Sequence, residues 1–197
     1  MIARGDSERF YVLTGGPGSG KSTLIAALAR GGYAVSPEAG RAIIQDQSAI
    51  GGPALPWRDA ALFAEMMLAW EMRSYRMAER EPGPVFFDRG IPDVMGYLRL
   101  TGLSVPAHME KAVAAFPYNR RVFVAPHWPE IFRRDAERRQ TLEEAERTYA
   151  AVTGVYRDLG YTVVELPRAP VEARVRFVLD RVARPDQRAG ASPDTRP

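Results

Sequence analysis

The chain has 197 residues, 46% of them hydrophobic, enough to bury one sizeable core and most naturally a single domain. It contains no run of about 18 apolar residues, and the opening MIARGDSERF carries charge where a signal peptide needs an apolar segment, so neither membrane insertion nor export is expected. Without cysteine there is no disulfide framework, two histidines argue against structural zinc, and a formal charge of +3 from 27 basic and 24 acidic residues suits phosphate pockets better than a nucleic-acid-coating surface.

Strand-sized apolar runs alternate with longer helical segments, the rhythm of an α/β fold. Phe10 to Thr14 (FYVLT) reads as a buried strand, followed by a glycine-rich loop and a helix over KSTLIAALAR that stops at Gly31 and Gly32. Tyr33 to Ser36 is a second short strand, Ala39 to Asp46 a helix and QSAIGGPALP a loop. Trp57 to about Arg80 has the composition of one long helix stopped by EPGP. VFFD, Val85 to Asp88, is the third strand, followed by a helix from Asp93 to Leu100 and a short helix around Val113 after Pro106. Val122 to Ala125 is a strand, Thr141 to Leu159 a long charged helix, Thr162 to Leu166 the last strand and Val171 to Val182 a closing helix. The tail from Arg184 has almost no apolar residues and is expected to be disordered.

The run VLTGGPGSGKST, Val12 to Thr23, satisfies G-x-x-x-x-G-K-[ST] through Gly15, Gly20, Lys21 and Ser22, between a buried strand and a helix start. Such a loop binds phosphate. The backbone of Gly15, Gly16, Pro17, Gly18, Ser19 and Gly20 can curl round phosphate oxygens, and the helix N-terminus adds its positive end. Lys21 can reach the β- and γ-phosphates, Ser22 can ligate magnesium, and Thr23 is available for the α-phosphate. The bland alternative is a glycine-rich turn that caps a helix. The expected fold is therefore a three-layer P-loop NTPase fold with a five-stranded, mainly parallel sheet, as one domain over residues 1–183.

The acidic residue ending a later strand decides which phosphate chemistry follows. VFFDRG offers Asp88 and then Arg89; without a neighbouring carboxylate to polarise water a dedicated hydrolase is disfavoured, whereas an arginine there suits charge on a transferred phosphoryl group. No N-K-x-D guanine-reading motif occurs. In SPEAGR, Pro37 stiffens the exit from the second strand and Glu38 emerges at the sheet edge where ligands of open α/β sheets bind. Glu38 could take an acceptor hydroxyl proton and Arg41 could bind an anionic group of the substrate; alternatively Glu38 caps the next helix and Arg41 pairs with it. Arg133, Arg134, Arg138 and Arg139 fall where kinases carry a lid, about residues 127–145, with Arg134 and Arg138 the candidates for phosphate contact; the alternative is a solvated face laced by Glu137, Glu143, Glu144 and Glu146. Asp93 and Tyr97 are candidate substrate contacts, the stripe Leu62, Phe63, Met66, Met67, Trp70 reads as core before pocket, and His108 and His127 read as surface or structural residues.

The set GGPGSGKS, SPEAGR, FFDRG and RRDAERRQTLEEAERTYAAVTGVYRDLGY ending in VELP resembles the AAA-type P-loop kinase family that includes the nicotinamide-riboside kinase domain of bacterial NAD-biosynthesis regulators, over about residues 9–182. The Glu after strand two and the acidic-Arg pair after strand three also resemble deoxynucleoside kinases. That likeness implies Glu38 as base, Asp88 as magnesium ligand and Arg89 as phosphoryl stabiliser. Deoxynucleoside kinases place a hydroxyl after the Arg, where this chain has Gly90, so their substrate does not carry over. The expectation is a cytoplasmic kinase that uses ATP and Mg2+ on a small-molecule acceptor, with no nucleic-acid or membrane partner; an NTPase or a nucleotide-binding switch without acceptor is the alternative.

Overall fold

The structure, a computed structural model, describes residues 7–131 and 141–184. Five strands, β1 (Phe10–Gly15), β2 (Ala34–Ser36), β3 (Val85–Asp88), β4 (Arg121–Ala125) and β5 (Thr162–Glu165), form one sheet in the order β2-β3-β1-β4-β5. Every pairing is parallel, so the sheet is wholly rather than mainly parallel, and the fold is that of the P-loop nucleotide kinases. Its helices are α1 (Lys21–Arg30), α2 (Ala39–Ala49), α3 (Ala60–Ala78), α4 (Ile91–Thr101), α5 (Ala107–Ala115), α6 (Leu142–Asp158) and α7 (Val171–Val182). None of them is long and apolar enough to cross a membrane.

The sheet is covered on both sides, which is why its strands read as continuous apolar runs. Alternate residues of β1 and β3 part to opposite faces. Phe10, Val12, Val85 and Phe87 pack with residues of α3, α4 and α6, while Tyr11, Leu13, Phe86 and Phe123 pack with α1 and α7. Tyr75 of α3 sits fully buried at the centre of the first core, edge-on to Phe10 at 4.9 Å and to Phe116 at 5.3 Å, and its hydroxyl donates to the Pro117 carbonyl at 2.7 Å. Arg9, stacked on Phe10 at 4.6 Å, donates to the carbonyls of Ala78, Glu79 and Gly83 and so satisfies the C-terminal end of α3.

Several element boundaries differ from the sequence expectation, each for a local reason. α3 starts at Ala60 and not at Trp57, because the Asp59 carboxylate accepts from the Leu62 N–H at 2.9 Å and caps it; Trp57 stays in the preceding turn, 67% exposed. α2 runs on to Ala49, into the segment expected as loop. α4 begins at Ile91, directly after the third strand's turn, since Pro92 in the first turn lacks only an N–H that would have no helical partner. Among the stripe residues, Phe63 is buried with Ala39 and Ile43, Met66, Met67 and Trp70 are half-buried against them, and Leu62 is exposed.

Two mid-helix glycines predict opposite responses to one substitution. At Gly96 of α4 an added Cβ would lie 2.9 Å from Val152 Cγ1 and 3.1 Å from Val152 Cα of α6, whereas at Gly154 of α6 nothing lies within 4 Å. Alanine brings about 1 kcal/mol of helix propensity at either site. At Gly96 overpacking of the α4–α6 contact, about 1–3 kcal/mol, outweighs it. Thermal unfolding should therefore show Gly96→Ala less stable and Gly154→Ala more stable than the parent; the same sign at both sites would refute the close helix contact.

Candidate active site

The phosphate loop leaves the central strand β1 and enters α1, and its glycines are needed for packing as well as for curvature. Gly15 has φ +130°, and a Cβ there would stand 2.4 Å from the Ala125 carbonyl oxygen of β4; at Gly16 it would stand 2.4 Å from the Ala145 oxygen of α6. Gly18 and Gly20 occupy left-handed conformations at φ 72° and 77°. Ser19 Oγ donates to the Gly16 carbonyl at 2.7 Å and closes the loop on itself. Lys21 is 6% exposed, its Nζ donating to the carbonyls of Gly15 at 3.0 Å and Gly16 at 2.8 Å. Burial, and then the charge of Arg89, bring this ammonium down to about 8, against the attraction of Asp88, Glu38 and Asp93. Ser22 and Thr23 are exposed in the first turn of α1, beside its N-terminal N–H groups.

β3 stands next to β1 with Asp88 in register with Leu13. The chain then turns sharply: Arg89 has φ 77°, a left-handed conformation that costs a non-glycine residue about 1–3 kcal/mol, and its N–H donates to the Leu13 carbonyl at 3.0 Å. The turn sends the guanidinium across to β2's exit, where Nε meets Glu38 Oε1 at 3.0 Å, while Nη1 meets Asp93 Oδ1 at 3.2 Å. Burial opposes the charge on Arg89, but the carboxylates of Glu38, Asp93 and Asp88 outweigh it and hold the guanidinium above its usual value. Glu38 is the N-cap residue of α2 by position only; its side chain makes no capping hydrogen bond and goes to Arg89 instead. Arg41 lies half-buried one turn further along α2.

Asp88 is 4% exposed, and its Oδ1 has no hydrogen-bond partner among the described residues. Burial lifts the carboxyl to about 6, with Lys21 and Arg89 opposing the rise and Glu38 and Asp93 adding to it. A buried acceptor oxygen left open at the tip of β3, beside the strand that leads into the phosphate loop, is the donor chemistry that a hard cation takes. No group of three or more histidine, aspartate or glutamate side chains among the described residues could hold a metal by itself, and Mg2+ characteristically uses one or two carboxylates together with phosphates and water. The residues therefore fit a magnesium ion brought with a nucleotide.

Asp93, expected as a substrate contact, is instead committed to the fold. Its Oδ1 accepts from Thr14 Oγ1 and Arg89 Nη1, and its Oδ2 accepts from the Gly90 N–H at 3.0 Å and from the Tyr156 hydroxyl at 2.7 Å. At 5% exposed and with those donors in place, it orients Arg89 and leaves no edge for a ligand. Tyr97, one turn along α4, packs edge-on to Phe63 at 5.4 Å; its buried hydroxyl has no partner among the described residues and is pushed up to about 12 by burial and by Asp59. Arg134 and Arg138, with Arg133, Glu137 and Arg139, lie outside the described residues. Glu143, Glu144 and Glu146 are exposed on α6, where Thr141 and Glu144 form a reciprocal cap. His108 pairs with Glu65 on the surface at 2.8 Å.

The structure adds residues that the motif reading omitted. Arg174 of α7, 5% exposed, donates from Nη1 to the Gly20 carbonyl at 3.3 Å and lies 5.6 Å over the Trp128 ring, walling the outer side of the loop; burial lowers its value. Glu71 of α3 is 3% exposed and faces Asp93, Asp88, Arg89 and Glu38 electrostatically. Each is a charge on an otherwise apolar helix face, Arg174 between Val171 and Val178 and Glu71 between Leu68 and Tyr75, and that break in periodicity was visible in the sequence.

A family model described as an AAA domain matches residues 10–174. No curated protein sequence matches the chain. Solved structures with the same fold include deoxyadenosine kinase from M. mycoides with products dCMP and dCDP (14% identity, 88% of this chain and 98% of that chain, TM-score 0.62). They include the NadR protein in complex with NR (18% identity, 89% of this chain and 51% of that chain, TM-score 0.67) and thymidylate kinase from Ehrlichia chaffeensis (12% identity, 88% and 97%, TM-score 0.60). These likenesses are of fold, and they agree with the kinase family that the motifs resemble.

The open carboxylate makes a prediction about stability without ligand. The folded-state value of Asp88, about 6, lies above the ordinary 3.8, so the folded protein holds this proton more tightly than the unfolded chain. That contribution to stability is full below about pH 4 and is lost as pH rises through about 6. Asp88→Asn should therefore stabilise the ligand-free protein at pH 7.5, by roughly 1–3 kcal/mol, and by progressively less toward pH 4.5. Paired thermal melts at the two pH values check this; a mutant less stable than the parent at pH 7.5 would mean the carboxylate is satisfied in the fold.

Proposed function

The chain belongs to the AAA domain family, and from that premise we propose that it is an ATP-dependent small-molecule kinase, transferring the γ-phosphoryl group to a hydroxyl of a nucleoside-like or other small metabolite. The observation that carries this reading is the Glu38–Arg89 ion pair at 3.0 Å, which joins the carboxylate after β2 to the strand-end pair Asp88–Arg89 beside the phosphate loop. ATPases that drive motion commonly place a glutamate that polarises water next to the metal-binding aspartate, and here that position is Arg89.

In this reading the backbone of Gly15 to Gly20 and the start of α1 cradle the phosphates, and Lys21 exchanges its loop carbonyls for phosphate oxygens. Ser22 and Asp88 would hold Mg2+, which neutralises phosphate charge when bound. Glu38, oriented by Arg89, takes the proton of the acceptor hydroxyl as the new O–P bond forms and the bond to the departing ADP breaks. Arg89, kept cationic by its carboxylate partners, faces the negative charge of the group in flight, and Asp93 acts through it as a positioning residue. Arg41 and Tyr97 belong to the acceptor side, and Arg134 and Arg138 to a closing lid over the phosphates. Cytoplasmic placement accompanies this reading.

The test is ADP release from Mg·ATP across a panel of hydroxyl-bearing nucleosides and small metabolites. Turnover should depend on the acceptor. Lys21→Ala should weaken ATP binding or slow transfer by orders of magnitude, and Glu38→Gln should keep ATP affinity while lowering acceptor-dependent turnover roughly 10²–10⁴-fold. Acceptor-independent turnover would make the protein an NTPase, and tight ATP binding without turnover a nucleotide-binding switch.

A further inference from the structure

Arg174 of α7 is a buried cation that the transfer described above does not use. The charges of Arg89 and Lys21 are answered by carboxylates, Arg89 by Glu38 and Asp93 in contact and Lys21 by Asp88, Glu38 and Asp93 electrostatically. Nothing of the kind answers Arg174. It is 5% exposed, its Nε has no hydrogen-bond partner among the described residues, and burial draws its value down with no carboxylate pulling the other way. A cation left so works against folding, and buried charges ordinarily have partners. Its contacts are the Trp128 ring, 5.6 Å away, and the Gly20 carbonyl, to which Nη1 donates at 3.3 Å.

The guanidinium reaches that carbonyl because Gly20 has no side chain. A Cβ there would lie 2.9 Å from Nη1 and 3.2 Å from Nη2, and the φ of 77° would strain an L side chain as well. Gly20 and Lys21 share one planar trans peptide, so the carbonyl that faces Arg174 and the Lys21 N–H point in opposite directions. That N–H is the first of α1 and has no acceptor within the helix, and Lys21 lines the small cleft formed by Gly18 to Thr23. A pull on the outside of the peptide is therefore felt on the inside. A charged donor on the carbonyl draws electron density from the amide and strengthens its N–H as a donor, the polarisation that runs along hydrogen-bond chains in a low-dielectric interior. The same carbonyl accepts from the Leu24 N–H at 3.3 Å, so the cation also grips the leading end of α1.

We propose that Arg174 is a positioning residue for the phosphates of the nucleotide: acting through the Gly20–Lys21 peptide, it fixes the turn into α1 and primes the Lys21 N–H, and its own unanswered charge is balanced when a polyphosphate enters the loop. Resting on the nucleotide-binding part of the kinase reading, this adds to Lys21 a second cation, placed behind the loop and not in it. The ligand it favours is an anion of several charges; the base and ribose of a nucleotide gain nothing from it. The charge that weakens the empty protein strengthens the filled one.

The experiment is calorimetric binding of Mg·ATP, Mg·ADP, inorganic tripolyphosphate with Mg2+, and adenosine to the full chain, to Arg174→Met and to Arg174→Lys, with thermal melts of each protein free of ligand. Arg174→Met keeps an unbranched stem and loses the charge and the donor. It should weaken ATP, ADP and tripolyphosphate roughly 10-fold, raise the KM for ATP to a similar extent with any acceptor that is phosphorylated, and leave adenosine unaffected. Its ligand-free melting temperature should equal or exceed the parent's, because an apolar side chain takes the place of an uncompensated buried charge. Only one hydrogen bond is involved, with no bidentate geometry to lose, so Arg174→Lys should restore most of the phosphate affinity. A purely structural Arg174 gives the reverse pattern, an Arg174→Met protein that melts lower or one with parent-like affinity for ATP and tripolyphosphate, and either result overturns the proposal. A loss that Arg174→Lys does not recover, or one shared equally by adenosine, overturns it too. Polyphosphate binding that needs Arg174 but never yields acceptor-dependent ADP would sink the kinase reading alone, and phosphoryl transfer indifferent to Arg174 would sink this inference alone.

Discussion

Much of the site follows from keeping the Arg89 guanidinium inside the protein. The side chain is 18% exposed and occupies a turn that forces its own backbone into the left-handed region. A charge so placed stays ionised only with carboxylates beside it, and removing one partner of such a buried network costs about 3–5 kcal/mol. The fold supplies Glu38 from the exit of β2 and Asp93 from the first turn of α4. Asp93 is in turn anchored by Thr14 on β1 and Tyr156 on α6, and Thr14 is the residue before Gly15. Strand end, loop start, helix start and the packing of α6 are thereby tied to a single cation, so the phosphate loop and Glu38 are held in fixed relation to each other.

The same region gathers features that work against folding. Asp88 has an open buried oxygen, Lys21 is drawn down by burial, burial pushes the Glu71 carboxyl well above its usual range, and Arg89 carries backbone strain. None of these is needed to hold the sheet. The aromatic core around Tyr75, edge-on to Phe10, Phe116 and Tyr118 and tilted against Phe87, contributes burial that offsets them. Stability drawn from one part of a fold and strain concentrated in another is the arrangement expected where a ligand completes the missing interactions.

What could be read from the chain alone depended on whether the cause was local. The phosphate loop was legible because its glycines, lysine and hydroxyls act within a dozen residues of one another, and the strands because full burial leaves unbroken apolar runs such as VFFD and VFVA. Helix starts were less legible, since Asp59 caps α3 through one hydrogen bond that composition does not reveal. The motifs named Glu38, Asp88 and Arg89 separately, but the contact between Glu38 and Arg89 spans 51 residues and exists only because β2 and β3 are neighbours. Asp93 was assigned outward when four donors hold it inward, a matter of tertiary geometry. Arg174 and Glu71 did leave a trace, a charge interrupting an apolar helical stripe.

The strand order gives the proposed transfer its direction. β3 lies between β1, which ends in the phosphate loop, and β2, which ends at Glu38, so the pair Asp88–Arg89 at its tip stands between the two by topology alone. Neighbouring strands are about 4.8 Å apart, which sets the ends of β1 and β2 about 10 Å from each other across the sheet. That separation suits a phosphate chain on one side and a hydroxyl-bearing acceptor on the other, with the transferred group over β3. A carboxylate and a guanidinium at the midpoint can then act on the shared group from one rigid strand, while the acceptor's remaining bulk extends away from the loop, toward α3 and α4. The distance between loop and base is thus a property of the sheet, and the elements free to vary with the acceptor are the helices that follow β2 and β3.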